Sequence, residues 1–158
     1  MALKTDIRGM VWKYPDTFVV GREQVRQYAT ATKVVDPASY DEEAAAALGH
    51  DSLVAPLTFV SILANLIQRH FFQHVDIGLE TMQIVQVDQE LKILQPIKAG
   101  DRLHCDVYIH SYRQAHGTDI IVTKNIITND KGEAVQETYT TLAGRSDETG
   151  EGFSDGTA

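Results

Sequence analysis

A chain of 158 residues with 14 basic and 22 acidic side chains has a formal charge of −8, which excludes the clustered Lys and Arg of a sequence-independent nucleic-acid surface. The length suits one domain whose core needs neither disulfides nor a structural metal, and the single cysteine, Cys105, excludes an internal disulfide and any multi-cysteine zinc site. Residues 1–6 lack the apolar run of a signal peptide and no stretch reaches the ~18 apolar residues of a membrane span, so a cytoplasmic location with no membrane span is expected.

A short β-type run covers residues 17–21, and the segment after it places Val25, Tyr28 and Ala29 at helical spacing. The loop around Asp36-Pro37 ends that helix. Asp41-Glu42-Glu43 then opens an alanine-rich helix, with acidic side chains complementing the positive end of the helix dipole, and Gly49 closes it. Pro56 fits the first turn of a longer helix over residues 56–74. Leu57, Phe59, Val60, Ile62, Leu63, Leu66, Ile67, Phe71 and Phe72 occupy most of its circumference, which predicts a buried helix. Thr58, Ser61, Asn65 and Gln68 form one polar seam along it. Such a seam is either where a buried helix meets loops and water or the lining of a cavity or channel.

The second half reads as β-structure. Val85, Val87, Leu91 and Ile93 share one face of a strand that is expected to be central and also carries Gln83, Gln86, Asp88 and Gln89. A buried amide or carboxylate without a partner costs about 1–3 kcal/mol, so these four are assigned to a subunit interface. Pro96 and Ala99-Gly100-Asp101 mark a turn. Leu103, Cys105, Val107 and Ile109 then alternate with His104, Asp106, Tyr108 and His110, the pattern of a half-buried strand. Cys105 is expected to pack as a small hydrophobe. Runs over residues 118–128 and 133–144 flank the hairpin turn Asn129-Asp130-Lys131-Gly132. Residues 1–145 thus form one α+β domain, an antiparallel sheet wrapped around one long helix. The segment 146–158, rich in Gly, Ser and acidic residues, is too polar to offset its ordering entropy and is expected to be a flexible tail.

The loop Lys33-Val34-Val35-Asp36-Pro37-Ala38-Ser39-Tyr40 resembles the G-D-x-N-P-x-H loop of the (R)-specific enoyl hydratases and dehydratases of the MaoC-like hot-dog family. Anchoring on Pro37 puts Val34 at the acid's position and Ser39 at the histidine's. Hydration or dehydration of a β-hydroxyacyl thioester needs groups that titrate near neutral pH. Valine has no proton to give, and a lone serine is too weak without an activating partner. Members with the dyad begin the long helix with a run like A-H-G-M, whose glycine N–H helps to hold the thioester oxygen. Here the run is Ala55-Pro56-Leu57-Thr58, and Pro56 has no N–H.

Tyr14-Pro15-Asp16, Val20-Gly21-Arg22-Glu23, Leu53-Val54-Ala55-Pro56-Leu57-Thr58-Phe59, residues 83–89, Ile121-Val122-Thr123-Lys124-Asn125 and residues 136–142 are similar to stretches of the accessory (HadA/HadC-type) subunits of mycobacterial-type (3R)-hydroxyacyl-ACP dehydratase. That resemblance implies a hot-dog fold and a heterodimer with a catalytic, HadB-type subunit. It also implies conversion of (3R)-hydroxyacyl-ACP to trans-2-enoyl-ACP in the type II fatty acid synthesis of mycolic acid precursors. No catalytic residue is expected in this chain. Leu57, Thr58, Phe59, Ser61, Ile62, Asn65, Leu66 and Cys105 are the expected acyl-binding residues, and no cofactor is called for. His70 and His74 have the i, i+4 spacing of a zinc pair but lack a Glu between them and an evident third ligand, so no metal is expected. A homodimeric acyl-thioester or lipid-binding protein, and a thioesterase using Asp36, Asp41 or Glu42, are the alternatives on the same scaffold.

Overall fold

The computed structural model describes residues 7–75, 84–115 and 117–145. Two short strands, β1 (Val11–Lys13) and β2 (Phe18–Val19), precede the helices α1 (Arg22–Ala31), α2 (Glu42–Ala47) and α3 (Ser61–His74). The strands β3 (Ile84–Ile93), β4 (Arg102–Ala115), β5 (Thr118–Thr128) and β6 (Ala134–Arg145) follow. They form an antiparallel sheet in the order β1-β4-β5-β6-β3, with β2 pairing to β4 off that path. One long helix lies against one face of this sheet, so the fold is the hot-dog arrangement that the resemblance implies. No helix among the described residues is long and apolar enough to cross a membrane.

The local signals act much as their chemistry dictates. Asp41 caps α2, its carboxylate accepting from the Glu43 and Ala44 amides at 2.6 and 3.4 Å. Gly49, at φ 86°, supplies the left-handed residue that turns the chain away after that helix. The alternation at residues 103–109 is borne out: Leu103, Cys105, Val107 and Ile109 are buried and face α3, which buries Leu63, Ile67 and Phe71 in return.

Several expectations are corrected. α3 starts at Ser61 and not at Pro56, because the Ala55 amide donates to the Ile97 carbonyl (2.8 Å) and holds the chain extended there. Residues 57–60 instead form a tight turn, with i to i+3 bonds from the Phe59 amide to Pro56 and from the Ser61 amide to Thr58. Nor is the helix enclosed on all sides: Leu66 is 41 % exposed and Leu57, on the preceding turn, 68 %.

The polar strand is not central. Among the described residues β3 is an edge strand paired only to β6, and nearly all of it is exposed. A bulge between Gln86 and Asp88 resets its parity. Ile84 and Gln86 lie opposite Gly144 and Leu142 on the helix side, as do Gln89, Leu91 and Ile93 opposite Thr140, Thr138 and Gln136. Val85 and Asp88 therefore face the other way, and Val85 does not share a face with Leu91 and Ile93. Gln83 and the tail 146–158 lie outside the described residues.

Candidate functional site

α1 ends at a turn in which Lys33 takes φ 57° and the Val34 amide donates to the Ala29 carbonyl at 2.9 Å. Asp36 caps a single 3-10 turn, Pro37–Ser39, by accepting from the Ala38 amide at 2.9 Å. Tyr40 Oη donates to the Val34 carbonyl at 2.7 Å and pins the loop from its far side. Ser39 is buried, and its Oγ donates to the Val54 carbonyl at 2.7 Å. The Val54 amide in turn donates to the Ala38 carbonyl at 2.9 Å. The loop is thus laced through Ala38 and Ser39 to the segment that carries Ala55-Pro56-Leu57, with Val34 held to the loop through Tyr40. None of those side chains can move a proton near neutral pH. The Ser39 hydroxyl is committed to a backbone carbonyl, and that of Thr58 lies against Tyr28 Oη.

Beside this junction opens a cleft of ≈ 210 Å³ lined by His50, Val54, Ala55, Pro56 and Leu57 on one side and Ile93, Leu94, Gln95, Pro96, Ile97 and Gln136 on the other. A second cleft, of ≈ 400 Å³, separates α3 from β3 and is lined by Asn65, Gln68, Arg69, Phe72, Gln73, Ile84, Gln86 and Leu142.

The expected acyl-binding residues do not converge. Leu57 lines the first cleft and Asn65 the second. Thr58 is exposed on the turn before α3, where its carbonyl accepts from Tyr28 Oη at 2.8 Å and its Oγ1 lies 2.9 Å from the same hydroxyl, so it ties α1 down. The single polar seam therefore splits, since Thr58 is not on the helix that carries Ser61, Asn65 and Gln68. Phe59 is core, its ring 5.5 Å from Tyr28 and 6.3 Å from Phe18. Ser61 and Ile62 are half-buried at the start of α3, and Leu66 is exposed. Cys105 is buried in the core cluster, and its thiol is pushed up to about 12 by burial and secondarily by Asp106. Of the interface group, Gln86 also lines the second cleft, and Asp88 and Gln89 are exposed on β3.

His70 and His74 stack at 4.0 Å, with His74 Nδ1 2.8 Å from the His70 carbonyl and the His70 ring 5.1 Å from Trp12. Among the described residues no three His, Cys, Asp or Glu side chains cluster as a metal site.

Sequence reading missed a polar layer on the helix side of the sheet. Thr123 and Asn125 of β5 and Gln136, Thr138 and Thr140 of β6 are all buried there. Gln136 Nε2 and Thr138 Oγ1 have no hydrogen-bond partner among the described residues. The signal was available, since Gln136, Thr138 and Thr140 recur every second residue in phase with buried Leu142.

A family model described as the FAS1-like dehydratase domain region matches residues 8–138. A UPF0336 protein of Mycobacterium tuberculosis is 61 % identical over 145 residues, covering 92 % of this chain and 87 % of that protein. A chain in the crystal structure of the C-terminally truncated HadBC (3R-hydroxyacyl-ACP dehydratase) complex from Mycobacterium tuberculosis is 57 % identical, with a TM-score of 0.83 and coverage of 90 % of this chain and all of that one. A solved MaoC-like dehydratase is 38 % identical at a TM-score of 0.81, and there 89 % of this chain spans 42 % of the other.

Proposed function

From the chain's membership of the FAS1-like dehydratase domain family, a MaoC-like hot-dog family, we propose that it is the non-catalytic, acyl-chain-binding subunit of a heterodimeric (3R)-hydroxyacyl-ACP dehydratase. In this reading the pair converts (3R)-hydroxyacyl-ACP to trans-2-enoyl-ACP during type II synthesis of mycolic acid precursors, and a second hot-dog subunit supplies the acid and base. The observation that carries the reading is the state of the dyad positions. Val34 has no ionisable group, and the buried Ser39 hydroxyl donates its hydrogen bond to the Val54 carbonyl. The likeness to a chain of the HadBC complex supports a second subunit. So does the MaoC-like dehydratase more than twice this chain's matched length, which has room for a second such unit in one polypeptide.

The free edge of β3 is the surface for that partner. Val85 and Val87 are more than half exposed there beside Gln86, Asp88 and Gln89, and an uncovered apolar edge strand invites pairing with another strand. The carboxylates that a thioesterase would use are already occupied: Asp36 and Asp41 cap helical turns, and Glu42 accepts from Arg22 Nε at 2.6 Å.

The test is turnover of a trans-2-enoyl thioester by the chain alone and with a co-expressed hot-dog subunit that carries an intact D-x-N-P-x-H loop. The expected result is hydration by the pair only. Turnover by the isolated chain overturns the reading.

A further inference from the structure

The core cluster takes Ile121 and Ile127 from β5 and packs them with side chains of α1 and α3. The strand period of two therefore turns Ile120, Val122, Lys124 and Ile126 to the other face of the sheet, where each is half-buried on the middle strand. An antiparallel sheet that shows one face to water carries polar side chains there. Ile120, Val122 and Ile126 stand where that pattern calls for them. Cross-strand neighbours extend the patch: Ile120 lies opposite Ala143 and Ala143 opposite Val85, and at the far edge Val11 lies opposite Tyr108. Val11 and Val85 are 48 % and 51 % exposed.

The charges on this face cancel where they stand. Lys13 lies 4.0 Å from Asp106, Lys92 3.9 Å from Glu90 and Lys124 3.2 Å from Glu137, and Arg113 and Asp88 add one charge of each sign. Two of the lysines are also folded down onto the sheet. Lys92 and Lys124 Nζ lie 4.8 and 5.3 Å from the centroid of the Tyr139 ring, and the side chains of the Lys124–Glu137 pair are each 23 % exposed. A chain of net charge −8 thus has one flat face with an apolar centre and paired charges, through which a copy of equal charge can approach without meeting an excess of its own sign.

We propose that this face docks a second copy of this chain, sheet on sheet. Its four long strands have ten to fourteen residues each. At about 4.8 Å between strands and about 3.4 Å per residue they present roughly 650 Å². Two copies then bury roughly 1,300 Å², above the ~1,000 Å² that a specific interface needs. The contact leaves the free edge of β3 open, and both clefts, which lie on the helix side. It does not depend on the dehydratase reading, and under that reading it joins two pairs back to back.

The experiment measures the mass of the full chain by sedimentation, alone, against that of Val122→Glu with Ile126→Glu. The parent is expected at twice the mass of the double variant, because an uncompensated carboxylate enclosed in the contact weakens it by about a hundredfold or more. Equal masses overturn the proposal, whether both chains are single or both keep a dimer made through another surface. If the double variant loses its cooperative melt, Val122→Cys carries the test. Val122 is midway along the middle strand, and stacked sheets lie about 10 Å apart, so a short bis-maleimide should join two copies. Cys105, buried on the helix side, stays unreacted in the folded chain. No crosslink, or one that forms only to an added catalytic subunit, overturns the proposal.

Discussion

In the proposed reading, Ser39 differs from a catalytic residue less in its position than in its partner. A general acid or base must face the reacting atoms, and this hydroxyl faces the Val54 carbonyl inside the loop junction. Restoring the dyad with Val34→Asp and Ser39→His is therefore expected to give no turnover in the isolated chain. An imidazole at a position 3 % exposed overpacks the junction, at about 1–3 kcal/mol, and leaves the Val54 carbonyl unpaired. The double variant should melt below the parent, and hydratase turnover by it would refute this account. Cys105 gives a second test at this scale. Its thiol, pushed up to about 12 by burial, stays protonated where an unfolded cysteine begins to ionise near pH 9. The folded state then binds more protons than the unfolded one. The stability linked to this group is intact below about pH 9 and declines as pH rises from there towards about 12. Iodoacetamide at pH 8.5 should label Cys105 only as fast as the protein opens, and prompt labelling of the native chain would contradict its burial.

The elements differ in how far they can be read ahead. β4 and β5 were legible because one face of each is buried and the other is not, so Leu103 to Ile109 show an unbroken period of two. β3 was not, since the bulge at Val87 breaks that period and most of both its faces are exposed, so no burial pattern was there to find. β1 has three residues, too few for a pattern. Pro56 carried a true local signal, its tolerance at a helix start, that a long-range bond from Ala55 to Ile97 overrides. The proposed loss of the dyad at Val34 and Ser39 rests on residue identities alone. Gln136 was passed over because an amide in a strand reads as surface until the parity of its neighbours is counted. For β3 the edge geometry makes a direct forecast. Burying a valine side chain fully gains about 1.5–3 kcal/mol, so Val85→Lys with Val87→Lys should abolish association through this edge. Both side chains are more than half exposed in the single chain, so the variant should keep its melting profile. Unchanged mass by light scattering would place the interface elsewhere.

At the scale of the molecule, one group of exposed apolar residues lies about one side, apart from Val11, Val19, Val35 and Leu48. Val85, Val87, Ile93 and Leu94 run along and just past the free edge of β3, and Ile93 and Leu94 line the first cleft together with Leu57. A subunit added to that edge would pair its backbone and roof the cleft in the same step, so assembly and the enclosure of ligand are coupled. In the proposed pair, the charge of −8 gives little reason for an acidic carrier protein to dock on this chain by long-range attraction, which would leave carrier recognition to the partner. Hydrogen exchange separates these roles within one measurement. In the isolated chain, amides of β5, paired on both sides in the middle of the sheet, should exchange slowly, and edge-facing amides of β3 fast. On addition of the catalytic subunit, protection should rise along β3 and across residues 93–97, with little change in β5. Protection confined to α1 and α2, with β3 still exchanging fast in an active pair, would show that the partner binds the helical side and that the edge strand remains open in the assembly.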